Sequence, residues 1–174
     1  MTRLSWKRVS IILLIITCSV STVLIYTIVN NRAQQEQYFL DHIQLSLIEL
    51  QGIIASQKEH NWDSPRLVIQ QLDKIRNTIV YGNSSRSFSI LSNDEKKLLM
   101  GIYFHLERLP NDTLYELASW TSDNTRTALE VEKALINANF KLNTGIENSW
   151  KPFMQRCEKL NEELFKMNET LLRK

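Results

Sequence analysis

From Val9 to Val29 the chain runs through 21 positions without a charged side chain. At a helical rise of about 1.5 Å per residue such a run spans roughly 30 Å, the thickness of a bilayer's hydrocarbon core. The pattern predicts a short basic segment over 1–8, a transmembrane helix over 9–29 and an aqueous domain over 30–174. Beyond the apolar run, hydrophobic positions recur with helical spacing. Phe39, Ile43, Leu47, Leu50 and Ile54 come at steps of four, four, three and four, and Leu40 and Ile48 widen that face. This helix, over 31–58, begins with the helix formers Ala33-Gln34-Gln35-Glu36-Gln37 and can continue the membrane helix without a break.

Asn61-Trp62-Asp63-Ser64-Pro65 is a stop and restart, with Ser64 suited to cap a new helix and Pro65 to its first position. Val68, Leu72, Ile75 and Ile79 give that helix its inner face, and Gly82 is expected to close it in the left-handed conformation. Ser92-Asn93-Asp94-Glu95 has the form of a capping box, opening a helix with Leu98, Leu99, Ile102, Tyr103 and Leu106 that stops before Pro110. A short helix capped by Asp112 is predicted next, with Leu114, Leu117 and Ala118 inward. Another carries Ala128, Val131, Leu135, Ala138 and Leu142 and ends at Asn143-Thr144-Gly145. The last helix, capped by Ser149 with Pro152 in its first turn, places Phe153, Cys157, Leu160, Leu164, Met167 and Leu171 at alternating steps of four and three. The predicted fold is all-α: one N-terminal transmembrane helix followed by an extracytoplasmic antiparallel bundle of about five to six helices.

Charge gives the orientation. Arg3, Lys7 and Arg8 precede the apolar run and the first acidic residue is Glu36, so the amino terminus is expected in the cytoplasm and 30–174 outside. Release after signal cleavage is the alternative. The run is longer than the roughly 7–15 residues usual in a signal peptide, and no A-x-A site comes after it, which favours an uncleaved signal anchor. The net charge of +2 comes from the basic amino terminus; the part beyond residue 29 holds 18 basic against 19 acidic residues. No nucleic-acid partner is expected from that balance. With four glycines, three prolines and cysteines only at 18 and 157, neither a β-rich fold nor a disulfide scaffold is expected.

Candidate chemistry is sparse. His42, His60 and His105 lack the spacing of four that puts two ligands on one helical face, and no H-E-x-x-H, G-x-S-x-G, S-x-x-K or phosphate loop occurs. No catalytic residue, metal or cofactor is expected. Two features can meet a partner. The stripe Phe153, Cys157, Leu160, Leu164, Met167 and Leu171 either packs inward as core or presents a seam to a second helix, including one from another copy of the chain. Trp62 and Trp150 stand near segment ends, where exposed aromatics suit an interface.

A membrane helix running straight into an outer helical domain resembles the arrangement of bacterial chemoreceptor and sensor-kinase input domains. That resemblance, one of architecture, implies a ligand-sensing bundle acting through a membrane partner. Those receptors return through the membrane on a second apolar helix, whereas the last helix here is polar outside and reaches Lys174. The expected function is therefore that of a membrane-anchored interaction or accessory protein without catalytic activity. Its expected partners are the bilayer and another membrane or envelope protein, with a homodimer open through the terminal stripe; ligand sensing is the alternative.

Overall fold

The computed structural model describes residues 6–84, 91–110 and 120–172, except for the side chains of 7, 82–84 and 169–172. Every regular element among them is helical: α1 (Trp6–Phe39), a π-helical turn (Leu40–Gln44), α2 (Leu45–Glu59), α3 (Arg66–Ser84), α4 (Asn93–Leu106), α5 (Ser122–Asn137) and α6 (Trp150–Leu172). The apolar run lies on one rod, unbroken from Arg8 to Glu59 and 52 residues long, about 80 Å at the standard rise. One helix near the amino terminus is thus long and apolar enough to cross a membrane. Three of its hydroxyls are satisfied within the helix. The hydroxyls of Thr17, Thr22 and Thr27 each donate to the carbonyl four residues back, at 2.8–2.9 Å. Hydrocarbon demands such internal pairing, because it offers no water as a substitute.

Phe39 marks the passage from exposed rod to core. It is completely buried, and so are Ile43 and Leu47 on the next turns. Around the π turn and the start of α2 the burial extends to Leu40, Gln44, Ser46 and Ile48, so the rod is enclosed on several sides there. A five-residue π turn adds one backbone position to the ladder and so rotates the faces of α2 relative to those of α1.

Several boundaries reflect local chemistry. The Ser92–Glu95 capping box forms in full, and Thr121 caps α5 by accepting from the Asn124 N–H at 3.2 Å. Two helices close on asparagine. Asn61 (φ 53°) comes after α2, where the Trp62 N–H donates to the Gln57 carbonyl at 2.7 Å. Asn139 (φ 64°) comes after α5, where the Phe140 N–H donates to Leu135 and the Asn139 N–H to Ile136. Both are the six-to-one closure in which a left-handed residue lets the chain turn back on the helix end.

Two boundary expectations are corrected. Gly82 does not close α3; it lies within the helix, which continues to Ser84. And α5 ends before Leu142, which is 65% exposed and lies over Gly52 instead of on an inner face. Asn139 supplies the closure expected of Gly145. The short helix predicted around Asp112 to Ala118 falls outside the described residues.

The packed helices form a closed circuit, α2 against α3, α3 against α4, α4 against α6, α6 against α5 and α5 against α2. Contacts give the directions. Gln57–Ser64 and Glu49–Lys74 make α2 and α3 antiparallel. Trp62–Trp120 and Gln51–Glu132 do the same for α2 and α5, and Asn139–Arg156 and Asn137–Glu163 for α5 and α6. Along α4 and α6, however, Glu95 meets Trp150, Gly101 meets Asn161 and His105 meets Asn168, so these two run parallel. An odd number of helices in a closed circuit cannot alternate throughout. The wholly antiparallel expectation fails at this pair for that reason.

One buried cation fastens α3 to α4. Arg76 donates to the carbonyls of Leu106, Leu109 (2.9 Å) and Pro110 (3.4 Å), and pairs with Asp73 at 3.1 Å. These acceptors lie at and just beyond the end of α4, where carbonyls lack the full set of helical partners. Replacing Arg76 by Met is expected to cost about 3 kcal/mol, because the carbonyls lose their charged donor at the buried end of α4. Urea unfolding of the full chain in detergent, monitored by circular dichroism, would show it; a loss below about 1 kcal/mol would mean that water replaces the guanidinium.

Candidate functional site

The terminal stripe lies inside the fold. Phe153, Cys157, Leu160 and Leu164 are completely buried and Met167 nearly so, all in one core with Phe39, Leu50, Leu99 and Leu135. Of the two roles open to the stripe, the inward one is therefore the one this fold uses; the side chain of Leu171 lies outside the described residues. Burial pushes the Cys157 thiol far above its usual range, with Glu158 adding to the shift, so it is protonated and enclosed. A disulfide between two copies through Cys157 would require the helix to leave the core.

Trp62 and Trp150 are half-buried rather than free. Trp62 stacks on Trp120 with centroids 5.3 Å apart, just past the end of α2 and far from the apolar run. Trp150 stands between Phe39, at 6.1 Å, and Phe153, at 5.5 Å. It thereby joins the first turn of α6 to the last turn of α1.

Around Trp150 the structure assembles a site that spacing alone did not indicate. Glu95 is its centre. The Ser92 N–H donates to Glu95 Oε2 at 2.6 Å, completing the cap of α4. Glu95 Oε1 accepts from Trp150 Nε1 at 2.6 Å and from Arg32 Nη2 at 3.2 Å, and Arg32 Nε donates to Glu36 at 2.7 Å. One carboxylate therefore holds α1, α4 and α6 together. Burial alone would disfavour its charge, but the bonds from Trp150 and Ser92 and the charge of Arg32 outweigh that and lower its pKa. Arg32 is shifted upward, chiefly by its bond to Glu36. The capping role of Glu95 was legible in sequence. Its bonds to Arg32 and Trp150 were not, because those partners lie 63 and 55 residues away.

Beside this clamp a groove of about 610 Å³ opens between α1, α4 and α6. Leu98, Met154 and the Trp150 ring give it an apolar floor, and Arg32, Lys151, Asp94 and Glu158 a charged rim. Its size is within the range of small-molecule sites, about 300–1,000 Å³. Among the described residues no group of three or more His, Cys, Asp or Glu side chains is placed to hold a metal. His42 and His60 are exposed, whereas His105 is half-buried against Asn168, and burial, with the charge of Arg108 second, lowers its pKa.

Comparison with protein-family models, curated proteins and solved structures gives no match to this chain.

The Glu95 clamp has a pH signature. Its pKa is lower folded than unfolded, so its contribution is complete above the ordinary carboxylate value near 4.3 and is lost as pH falls through the folded value. Glu95→Gln should lower the urea midpoint at pH 7, and its difference from the native chain should shrink as pH falls below the ordinary carboxylate range. Two midpoint curves that stay parallel down to pH 3 would mean that the carboxylate charge adds nothing to the clamp.

Proposed function

We propose that this chain is a membrane-anchored interaction protein without catalytic activity, in which α1 crosses the bilayer from a cytoplasmic amino terminus and α2–α6 form an extracytoplasmic helical bundle. The supporting observation is the rod itself. Over 11–29 its large apolar side chains are exposed, 50% or more at each, and no part of the described chain covers them. Lipid is the solvent that removes this cost. The same rod enters the core at Phe39 and is clamped at Arg32, so the bundle is held at a fixed place on its anchor. Restriction to the membrane plane raises its effective concentration toward proteins of the same layer.

With the terminal stripe spent on the core, a partner must be met elsewhere. The outer face of the parallel pair offers Phe104 on α4 and Phe165 on α6, 61% and 55% exposed, with Phe165 edge-on to His105 at 6.3 Å. We assign the partner, another membrane or envelope protein, to that face. Full-length tagged protein purified from native membranes should carry one partner at near-stoichiometric level. Phe104→Ser with Phe165→Ser should release it while the helical circular dichroism signal is kept. A chain that leaves the membrane in an alkaline carbonate wash would defeat the anchor, and a partner retained by the double variant would defeat the face.

Ligand sensing is the second reading, and the groove against α1 favours it, because a molecule bound there would touch anchor and bundle at once. A melting temperature raised by a soluble metabolite would support it, since binding to the native state stabilises that state.

A further inference from the structure

We infer that the face offered by Phe104 and Phe165 pairs with the same face of a second copy of this chain, about a two-fold axis along the membrane normal. The inference rests on the proposed partner face and names what occupies it.

Two rows of residues flank the seam between α4 and α6. At about 100° per residue, Lys97, Gly101 and Phe104 fall within about 60° of one another on α4. Glu158, Glu162 and Phe165 do the same on α6, again within about 60°. Gly101 lies against Asn161 across the seam, and the other five side chains are exposed.

Cross-seam contacts set the levels. Lys97 lies between Glu95 and Gly101 on α4, and Glu158 between their neighbours Trp150 and Asn161 on α6. Phe104 lies between Gly101 and His105, and Phe165 between Asn161 and Asn168. At the near end, Asp94 and Lys151 adjoin the Glu95–Trp150 bond. The two helices thus carry opposite charges at two levels, Asp94 with Lys151 and Lys97 with Glu158, and phenylalanine on both at the third.

The anchor dictates the symmetry. Two rods that cross one bilayer in the same sense can share a two-fold axis only along its normal, because an axis in the plane would invert one of them. Since α6 is antiparallel to α5 and α5 to α2, α6 runs in the direction of the rod, and α4 runs with α6. Such an axis keeps every level and sets each α4 against α6 of the second copy. Asp94 then faces Lys151, Lys97 faces Glu158, and the phenylalanines of both copies close one layer. Neither charged level brings like charges together. Within one chain Asp94 and Lys97 pair at 3.9 Å with side chains 96% and 80% exposed, so both stay open to a second chain. The rings supply apolar area and the charges fix the register. Each copy uses this face once, so the assembly closes as a dimer.

Full-length chains carrying a donor or an acceptor fluorescent protein at the amino terminus would be co-expressed, and energy transfer read in intact membranes. Native chains should show transfer that an excess of untagged chain dilutes away. Lys97→Glu on both chains, or Glu158→Lys on both, sets two like-charged contacts in each dimer and should cut self-association about tenfold. Lys97→Glu on the donor chain with Glu158→Lys on the acceptor chain leaves opposite charges at both contacts and should restore it. A Lys97–Glu158 contact within one chain would be reversed in both members of that mixture, so only pairing between chains predicts the rescue. Both positions are exposed, and unchanged circular dichroism is expected of each variant. Absence of transfer between native chains, or a mixture no better than its two parents, would overturn the second copy and leave the face to a different protein. Transfer kept intact by Phe104→Ser with Phe165→Ser would defeat the face itself, so the two failures are told apart.

Discussion

The first rod of this protein presents two kinds of surface along one axis. Over 11–29 it carries apolar side chains on every face, which nothing in the described chain covers. From Phe39 to Ile54 it carries a broad apolar face that the other helices enclose. No loop separates the two regions, only a five-residue π turn. An unbroken helix keeps every backbone group paired along both regions, as a membrane crossing would require. The continuous backbone also fixes where α2 sits, and α3 and α5 pack directly on α2.

A second constraint comes from number. A closed circuit of five helices must contain at least one parallel contact, and here it is α4 with α6. Parallel neighbours cannot be joined by a short turn, so the chain passes from α4 to α5 before returning beside α4 as α6. Close approach along this pair rests on small and polar groups: at Gly101 an added Cβ would stand 2.5 Å from Asn161 Oδ1, and His105 meets Asn168. At the near end the pair is bound through Trp150 and Glu95, beside the rod. Anchor, clamp and groove therefore share one level of the structure.

What the sequence disclosed was local. Ser92 and Glu95 lie three apart and form their box without help from the fold, and the spacing of Val68, Leu72, Ile75 and Ile79 identified residues that are all completely buried. The stripe from Phe153 to Met167 was legible as an apolar face, yet spacing does not say what covers a face. Asn139 closes α5 where Gly145 was expected to, because asparagine tolerates the left-handed conformation and the turn it permits brings Phe140 into the core. Arg76 sat unnoticed among apolar residues. Its worth depends on carbonyls 30 and 33 positions away, which only the assembled fold brings near. The Arg32–Glu95–Trp150 clamp escaped sequence reasoning for the same reason.

Anchor and bundle both depend on where the two ends of the rod lie, and thiol labelling in intact cells tests this most directly. The native cysteines give a quiet background: Cys18 lies within the apolar run and Cys157 is enclosed and protonated. A third cysteine would replace Lys159, which is exposed on α6. With a charged, membrane-impermeant maleimide, position 159 should label promptly without permeabilisation, while Cys18 and Cys157 react only after denaturation. Labelling of Cys18 in intact membranes, or of position 159 only after the cells are opened, would contradict the crossing and its orientation.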